Sequence, residues 1–299
     1  MNLNIVKYKY VYIIFSATLM ILGIIFILIW GLKFGIDFTG GTDLIYKINP
    51  TKVSSFENYV TERVPLAIFE ELTKSDYQIQ TPPLSQSRLQ ILENEVQKEF
   101  NLKKPQSITT IGPTIGIELQ QDAIYSIITV MIGIILYIGW AFRSVPKPAN
   151  SWIFGSAAVL AMIHDVIIVF GAFAILGHFF GAPIDSLFVT AILTVIGFSV
   201  HDTIVVFDRI RENLVKKKFT KFSDIVNNSL MQTLNRSLNT SFTVLLALSA
   251  MFLLGGITIR WFAVALLIGI FSGTYSSIFV ASQILTIYDQ YKEKKYEQG

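Results

Sequence analysis

Long uncharged runs constrain the fold of this chain more than any other feature. At least 20 consecutive residues lack a charged side chain in four stretches: 10–32, 123–142, 237–259 and 261–288. Each stretch is long enough to cross a hydrocarbon core of about 30 Å as a helix. The apolar segment between Lys147 and Asp208, broken by glycines and a proline, predicts two more helices at about 151–177 and 184–207. With 52% hydrophobic and 15% charged residues, the chain is predicted to be a six-helix membrane protein.

The distribution of Lys and Arg predicts the orientation of these helices. Two basic residues precede the first helix and seven lie in 208–237, against one in 255–261 and none in 177–184. Basic loops stay in the cytoplasm, so we predict that both termini and the 208–236 loop are cytoplasmic and that 33–122 is extracytoplasmic.

The first run is too long for a signal peptide and no cleavage site follows Trp30, so we expect it to remain as an anchor.

Charge and cysteine content exclude several function classes. The net charge of +3 is explained by membrane orientation, and the chain contains no basic patch of the kind that binds nucleic acid. Because the sequence has no cysteine, thiolate catalysis, disulfides and zinc-thiolate sites are excluded. We expect no cofactor.

The hydrophilic segment 33–122 is predicted to form an α+β domain. Alternating polar and apolar residues over Thr42–Ile48, after Gly40 and Gly41, predict an edge or surface strand. Helices are expected at Ser54–Val64 and Ser85–Phe100, the second from apolar residues at helical spacing. The segment contains no histidine and its carboxylates are scattered, so we expect binding or a mechanical role and no enzymatic activity.

Two His-Asp pairs lie inside predicted spans, where an ionisable side chain costs about 2.5–3.5 kcal/mol and therefore indicates a function. His164-Asp165 and His201-Asp202 sit in similar octets on consecutive helices. At about 1.5 Å per residue, Asp202 lies about 9 Å inside the end at Asp208 and Asp165 about 20 Å from the end near Ser151. The two carboxylates are therefore predicted not to lie side by side. Each pair could serve a proton relay or could be polar packing.

The predicted difference in depth between Asp165 and Asp202 also decides whether the two pairs could form an enzymatic site. Two histidines and two aspartates would suit zinc, and two carboxylates could form an intramembrane aspartyl protease. Both arrangements need the side chains to converge, which the predicted offset disfavours. A zinc-protease His-Glu-x-x-His motif is absent from the sequence. We expect no metal site and no catalytic residues.

The segment between the fourth and fifth spans is polar enough to lie at the cytoplasmic interface. An apolar face there predicts a surface helix that leads into the fifth span: Ile225, Leu230, Leu234 and Leu238. Topology alone could explain its basic residues Arg209, Arg211, Lys216, Lys217 and Lys218. Arg236 is a further candidate because it sits at the entrance of the helix. In the last span Gly269, Gly273 and Ser277 are spaced by four, which favours close helix packing.

Five motifs occur in an order that resembles the SecF family of bacterial protein-export membrane proteins, relatives of the resistance-nodulation-division transporters. They are Gly35-Ile-Asp-Phe-Thr-Gly-Gly-Thr42, which includes Asp37, Gly40 and Gly41, Ile111-Gly-Pro-Thr-Ile-Gly116, Ile163-His-Asp-Val166, the run from Gly197 to Asn213, and Thr233-Leu-Asn-Arg-Ser-Leu-Asn-Thr-Ser241. The resemblance covers most of the membrane part and is weak over 51–106. His201 stands where many relatives carry Asn.

The resemblance implies a fold, a task and two coupling residues. The chain would be a membrane all-α six-helix bundle with an inserted α+β extracytoplasmic domain, half of a twelve-helix resistance-nodulation-division-type assembly with a SecD-like subunit. In the bacterial plasma membrane it would use the proton gradient to promote export of unfolded preproteins through SecYEG. Asp202 would respond to protons and Arg236 would act with it, while Asp165, His164 and His201 could take part in a relay.

The sequence is also compatible with two alternative functions. The first is a stand-alone proton-driven exporter of small molecules or lipids from the same superfamily, although such exporters generally need two six-helix halves. The second is a membrane scaffold or an intramembrane protease. The first alternative and the translocase hypothesis differ in whether the chain pairs with a SecD-like subunit.

Overall fold

The computed structural model describes residues 4–143, 151–216 and 221–297. In chain order its helices and strands are α1 (Lys9–Trp30), α2 (Ile36–Thr39), β1 (Gly41–Lys47), α3 (Val53–Arg63), β2 (Ile68–Glu71), β3 (Asp76–Thr81), α4 (Gln86–Phe100), β4 (Ser107–Ile111), α5 (Pro113–Ala141), α6 (Ser151–Phe180), α7 (Ser186–Val215), α8 (Phe222–Leu254), α9 (Ile257–Ser276) and α10 (Ser282–Glu297). Short 3₁₀ helices cover Val6–Tyr8 and Pro50–Lys52. Three basic residues named above lie outside the described residues: Lys147, Lys217 and Lys218.

Six helical segments of the described chain are long and apolar enough to cross a membrane. Five of them are α1 with its preceding 3₁₀ turn, α5, α6, α7 and α8, and the sixth runs from α9 into α10. The chain divides into two compact units. One contains Lys33–Tyr125 with Pro183–Ser186, and the other contains the remaining residues, including most of each span.

Three of the spans, α5, α7 and α8, extend further than the apolar runs indicated. α5 begins at Pro113, ten residues before the predicted start at 123. α7 continues past Asp208 to Val215, and α8 begins at Phe222, so most of the predicted 208–236 loop is helical. Ion pairs at helical spacing support the polar end of α7, where Arg211 contacts Asp208 at 2.7 Å and Lys216 contacts Glu212. Apolar periodicity alone could not locate these ends.

The predicted face of the helix before the fifth span is buried in part. Ile225 and Leu230 are buried, Leu234 is half-buried and Leu238 is exposed. They belong to one continuous helix, α8, which also contains the fifth span. The prediction of a helix that leads directly into this span is therefore confirmed.

Within the helical unit, α6 packs against both α1 and α9. Its contact with α1 depends on two glycines, because a Cβ added to Gly171 would lie 2.5 Å from the Cα of Gly23. Close backbone approach through small residues is a common means of helix association in membranes. This crossing holds α6 against the first span.

The last span is interrupted by a π-helical segment, Ser277–Ala281, between α9 and α10. A π turn inserts one extra residue and frequently marks a functional site. On the α9 side, Gly273 packs against Ser199 of α7, where an added Cβ would lie 3.0 Å from the Ser199 Cβ, and Gly269 packs against Val195. The predicted close packing of the small residues is therefore confirmed.

The second unit contains a four-stranded antiparallel sheet in the order β2-β3-β1-β4. β1 pairs with β3 from Thr42 opposite Thr81 and with β4 from Gly41 opposite Ile111. The prediction that β1 is an edge or surface strand is wrong, because β4 covers its second side. β4 is a short Thr-rich strand with little apolar alternation, so the sequence analysis did not detect it.

The core of this unit lies between the sheet and helices α3 and α4. Its largest fully buried side chains come from β1, the residue that follows it, β3 and α3: Leu44, Ile48, Ile79 and Phe56. On α4 the predicted apolar face is buried at Leu92, Val96 and Phe100. Ser85 caps α4 by accepting a hydrogen bond from the Arg88 backbone N–H at 3.4 Å. The α+β prediction is confirmed.

Candidate functional site

The Asp165 carboxylate is the most completely hydrogen-bonded ionisable group of the helical unit. One of its oxygens, Oδ2, accepts hydrogen bonds from the Ser199 hydroxyl at 2.5 Å and the Ser276 hydroxyl at 2.7 Å. The other, Oδ1, accepts from the Ser272 hydroxyl at 2.6 Å and lies 3.0 Å from His164 Nδ1. Asp165 is 1% exposed. A buried carboxylate with four partners is electrostatically satisfied and joins α6, α7 and α9.

The three serines that surround Asp165 are uncharged and do not stand out in the sequence. Ser272 and Ser276 are four residues apart, so they share one face of α9. Ser199 reaches the carboxylate from α7, where Gly273 lets the two helices approach closely. The available sequence signal for these partners was the four-residue spacing of Ser272 and Ser276 within an apolar span. Their common partner could not be identified without the helix packing.

His164 has one ring nitrogen on Asp165 and one without a partner. Its Nε2 atom is buried and accepts or donates no hydrogen bond within the part of the chain that the structure describes. The imidazole ring stacks near the Tyr275 ring, with 6.4 Å between ring centroids. His164 also lines a mainly apolar cavity of about 570 Å³ among α1, α6, α8 and α9. The contact between His164 Nδ1 and Asp165 is consistent with polar packing, while the Nε2 atom remains available for a proton relay.

Asp202 differs from Asp165 in that its carboxylate is only partly satisfied. The side chain is 3% exposed, yet its Oδ2 atom has no hydrogen-bond partner among the described residues. Two charged or titratable side chains act on it electrostatically, His201 of the same helix and Arg236 of α8, and the Ser241 hydroxyl is a further polar neighbour. A buried carboxylate oxygen without a donor is free to bind a proton or a water molecule.

Asp165 and Asp202 are closer in depth than the sequence analysis predicted. Asp165 contacts Ser199, which precedes Asp202 by three residues, or about 4.5 Å along the helix. The predicted offset of about 11 Å is too large because α7 continues to Val215 and does not end near Asp208. Measured from Ser151 and Val215, both aspartates lie about 20 Å from the helix ends. No three His, Cys, Asp or Glu side chains of the described residues form a group that could hold a metal ion.

Hydroxyl groups occupy the interval between the two aspartates. The Thr203 hydroxyl lies 3.0 Å from the Ser277 hydroxyl, which also donates to the Ser199 carbonyl at 3.3 Å. On the α8 side the Thr274 hydroxyl donates to the Ser241 hydroxyl at 2.6 Å. Ser277 belongs to the π-helical segment. The surroundings of Asp165 and Asp202 are therefore linked through the interrupted last span.

Arg236 and Arg209, which lies seven residues after Asp202 on α7, have different surroundings. Arg209 donates to Gln232 at 2.5 Å and forms an ion pair with Glu212. The Arg236 guanidinium is exposed and forms no hydrogen bond or ion pair within the described ranges. Arg236 is therefore the arginine that is free to change partners. His201 is also exposed and points away from the buried network.

The predicted motif after the first span has a structural role in the sheet-containing unit. Asp37 accepts a hydrogen bond from the Ser186 backbone N–H at 2.9 Å, and the Gly35 N–H donates to the Ile184 carbonyl at 2.9 Å. At Gly41, φ is +148° and an added Cβ would lie 2.8 Å from the Thr81 carbonyl oxygen. Gly40 has φ +70°. These glycines are required by backbone conformation and close packing.

Comparison with known families gives a match over most of the chain. Residues 91–291 match the family model described as "Protein export membrane protein SecD/SecF, C-terminal". "Protein translocase subunit SecF" of Thermobaculum terrenum is 43% identical over 96% of this chain and 94% of its own length. The protein of the same description from Anaerolinea thermophila is 38% identical, with the same coverage.

A solved structure gives the same result for the fold. The crystal structure of SecDF, a translocon-associated membrane protein from Thermus thermophilus, superposes with a TM-score of 0.85 at 33% identity. The match covers 96% of this chain and 39% of the SecDF chain. A SecDF crystal structure described as the super-membrane-facing form gives a TM-score of 0.67 at 32% identity, over 98% of this chain and 39% of that one. The six-helix membrane bundle with an α+β domain is thus a fold with solved relatives.

Proposed function

This chain belongs to the SecF family of protein translocase subunits, and we propose that it uses the proton gradient to promote export of unfolded preproteins. It is a multi-pass bacterial membrane protein and an accessory subunit of the Sec translocase. In the proposal it works with a SecD-like subunit beside the SecYEG channel. It acts as a transport machine and performs no enzymatic reaction.

The contrast between the two buried aspartates carries the proposal. Asp165 has hydrogen-bond partners on both oxygens, so its role is to hold helices together. Asp202 is equally buried and keeps one oxygen without a partner among the described side chains. A carboxylate that binds and releases a proton during a cycle must have such an open position. We therefore assign proton uptake and release to Asp202.

Arg236 supplies the charge that can link this step to helix movement. It acts on Asp202 electrostatically and has no ion-pair partner in the described chain. If α8 moves relative to α7, the attraction between the guanidinium and the carboxylate changes, and with it the affinity of Asp202 for a proton. A potential of about 100 mV supplies about 2.3 kcal/mol for each charge that crosses the membrane. This energy is sufficient to bias a two-state rearrangement.

The SecD-like partner is inferred from the fused relatives. SecDF of Thermus thermophilus is 36% identical over 85% of this chain, which aligns with 34% of the SecDF length. The remaining part of a SecDF chain would correspond to a second subunit here. The exposed His201 is a polar side chain of the predicted fourth span that such a subunit could cover. A stand-alone small-molecule exporter would need no such partner.

An export assay in vesicles tests the proposal. Wild-type chain, its SecD-like partner and SecYEG are reconstituted, and export of a preprotein is measured with and without an imposed proton gradient. Asp202→Asn and Arg236→Ala should each abolish gradient-stimulated export while the subunits still assemble. Arg209→Ala should have a milder effect, because Arg209 is already paired with Glu212. Full gradient dependence in Asp202→Asn would make the carboxylate structural and the proposal wrong.

A further inference from the structure

A cavity of about 710 Å³ lies among the end of α5, the polar end of α7 and the first half of α8. Six charged side chains line it: Arg143, Asp208, Arg209, Arg211, Glu212 and Arg236. Four are cationic and two are anionic. We call this space the basic cavity.

Two of the four arginines have carboxylate partners and two do not. Arg211 pairs with Asp208 at 2.7 Å, and Arg209 pairs with Glu212. Within the described residues, Arg143 lies over the face of the Trp140 ring, with its Cζ atom 5.2 Å from the ring centroid, and neither Arg143 nor Arg236 has an ion pair. The basic cavity therefore has two positive charges in excess, on the α5 side and on the α8 side.

Apart from two polar side chains of α8, the remaining wall of the basic cavity is aromatic and apolar. Tyr137 and Trp140, which are 51% and 61% exposed, line it from α5, and Ile204 and Val205 line it from α7. These residues stand where apolar spans give way to charged helix ends, the position at which Tyr and Trp meet lipid headgroups. One region thus combines guanidinium groups with a wall suited to acyl and glycerol carbons.

We infer that the basic cavity binds the headgroup of an anionic phospholipid. Arginine side chains bind phosphate oxygens through paired, charge-assisted hydrogen bonds. Basic pockets between transmembrane helices are suited to anionic headgroups, and the volume lies within the range of small-molecule sites. The apolar wall distinguishes a lipid from free phosphate, which would gain nothing from Tyr137, Trp140 or Val205. The inference concerns binding alone and stands whether or not Asp202 exchanges protons.

Occupancy of the basic cavity would also affect Arg236. This residue lines the cavity and acts electrostatically on Asp202. A phosphate that attracts the guanidinium competes with the Asp202 carboxylate for the same positive charge. A bound anionic lipid would thereby weaken the electrostatic attraction between Arg236 and the Asp202 carboxylate.

Fluorescence quenching of Trp140 tests this site in the full-length chain. The chain has four tryptophans, so Trp30, Trp152 and Trp261 are replaced by Phe and the protein is placed in phosphatidylcholine nanodiscs. A small fraction of acyl-brominated phosphatidylglycerol is compared with the same fraction of brominated phosphatidylcholine. We expect stronger quenching by the anionic lipid. Arg143→Gln and Arg236→Gln should each lower its local enrichment about fivefold, the factor that corresponds to about 1 kcal/mol per charge.

Matched variants and added phosphate separate the possible outcomes. Arg143→Lys and Arg236→Lys should keep most of the enrichment because the charge remains. Arg260→Gln should not change it, since Arg260 lies at the start of α9 near Phe252. Equal quenching by the two lipids, or enrichment that survives both Gln substitutions, would overturn the inference. Displacement of the lipid by millimolar inorganic phosphate would show a free-phosphate site and would equally overturn it.

Discussion

The Ser199 hydroxyl donates a 2.5 Å hydrogen bond to the Asp165 carboxylate and so connects α7 to α6. Ser272 and Ser276 connect the same carboxylate to the last span. Removal of the charge weakens three hydroxyl contacts together, while Asp202 has no comparable set. The two aspartates should therefore respond differently to the same substitution.

Asp165→Asn should lower the stability of the helical unit. Hydrogen bonds to a charged group contribute about 1.5–3 kcal/mol, and the Asn amide cannot accept hydrogen bonds at both positions. We expect a loss in the free energy of unfolding of about that size, measured by denaturant unfolding in detergent micelles. Asp202→Asn is the matched control and should cost less. If both variants lose the same stability, Asp165 does not have the anchoring role assigned to it.

Gly171→Ala should separate α1 from α6. The added Cβ would lie 2.5 Å from the Gly23 Cα, so one helix must move. Overpacking of this kind costs about 1–3 kcal/mol, and the melting temperature in detergent should fall accordingly. Gly155→Ala on the same helix is the control, because an added Cβ there meets nothing within 4 Å among the described residues. Unchanged melting of Gly171→Ala would show that the helices do not cross so closely.

The stability of the α+β unit should depend on pH through Asp43. Burial raises the pKa of its carboxyl above the ordinary 3.8, with Glu70 and Asp37 adding to the effect, while the hydrogen bond from Gln78 opposes it. A folded-state pKa above the unfolded value gives stability that is complete below the unfolded pKa and is lost as pH rises through the folded pKa. Protection of β1 amides against hydrogen exchange should therefore weaken from acid to neutral pH relative to Asp43→Asn. Parallel pH profiles for the two proteins would rule out this assignment.

The proposed orientation can be tested in a chain that has no native cysteine. Cysteines introduced singly at Ser87 and Asp224, both exposed, should be labelled from opposite sides of the membrane. Asp224 lies in the first turn of α8, within the basic segment that is predicted to be cytoplasmic. A membrane-impermeant maleimide added to intact cells should label only the Ser87 position. Labelling of Asp224 from outside would reverse the orientation.

The sequence predicted the parts of the fold that depend on local patterns. Apolar runs located six spans, and helical spacing located the amphipathic helix that ends at Phe100. The helix ends were missed where polar residues continue a helix beyond the apolar run, as in α7 up to Val215. β4 was missed because its pairing with β1 joins residues far apart in sequence. Local periodicity contains no information on such contacts.

The candidate site was only partly predictable for the same reason. Asp165 and Asp202 stand out as charges in apolar spans, and the family resemblance indicated Asp202 and Arg236. Which aspartate is satisfied depends on side chains from other helices, among them Ser199 and Ser276. Such partners come from three-dimensional packing, so the difference between the two carboxylates could not be predicted from the sequence.

Infrared titration is the most direct test of the central claim that Asp202 exchanges a proton. A protonated carboxyl group gives a carbonyl band that disappears when the proton is released. The spectra of wild type and Asp202→Asn are compared across pH in lipid vesicles. Among the titrating carboxyl bands of wild type, we predict one that is absent in Asp202→Asn, is retained in Asp165→Asn and titrates at a different pH in Arg236→Ala. Identical titrating bands in wild type and Asp202→Asn would contradict the account.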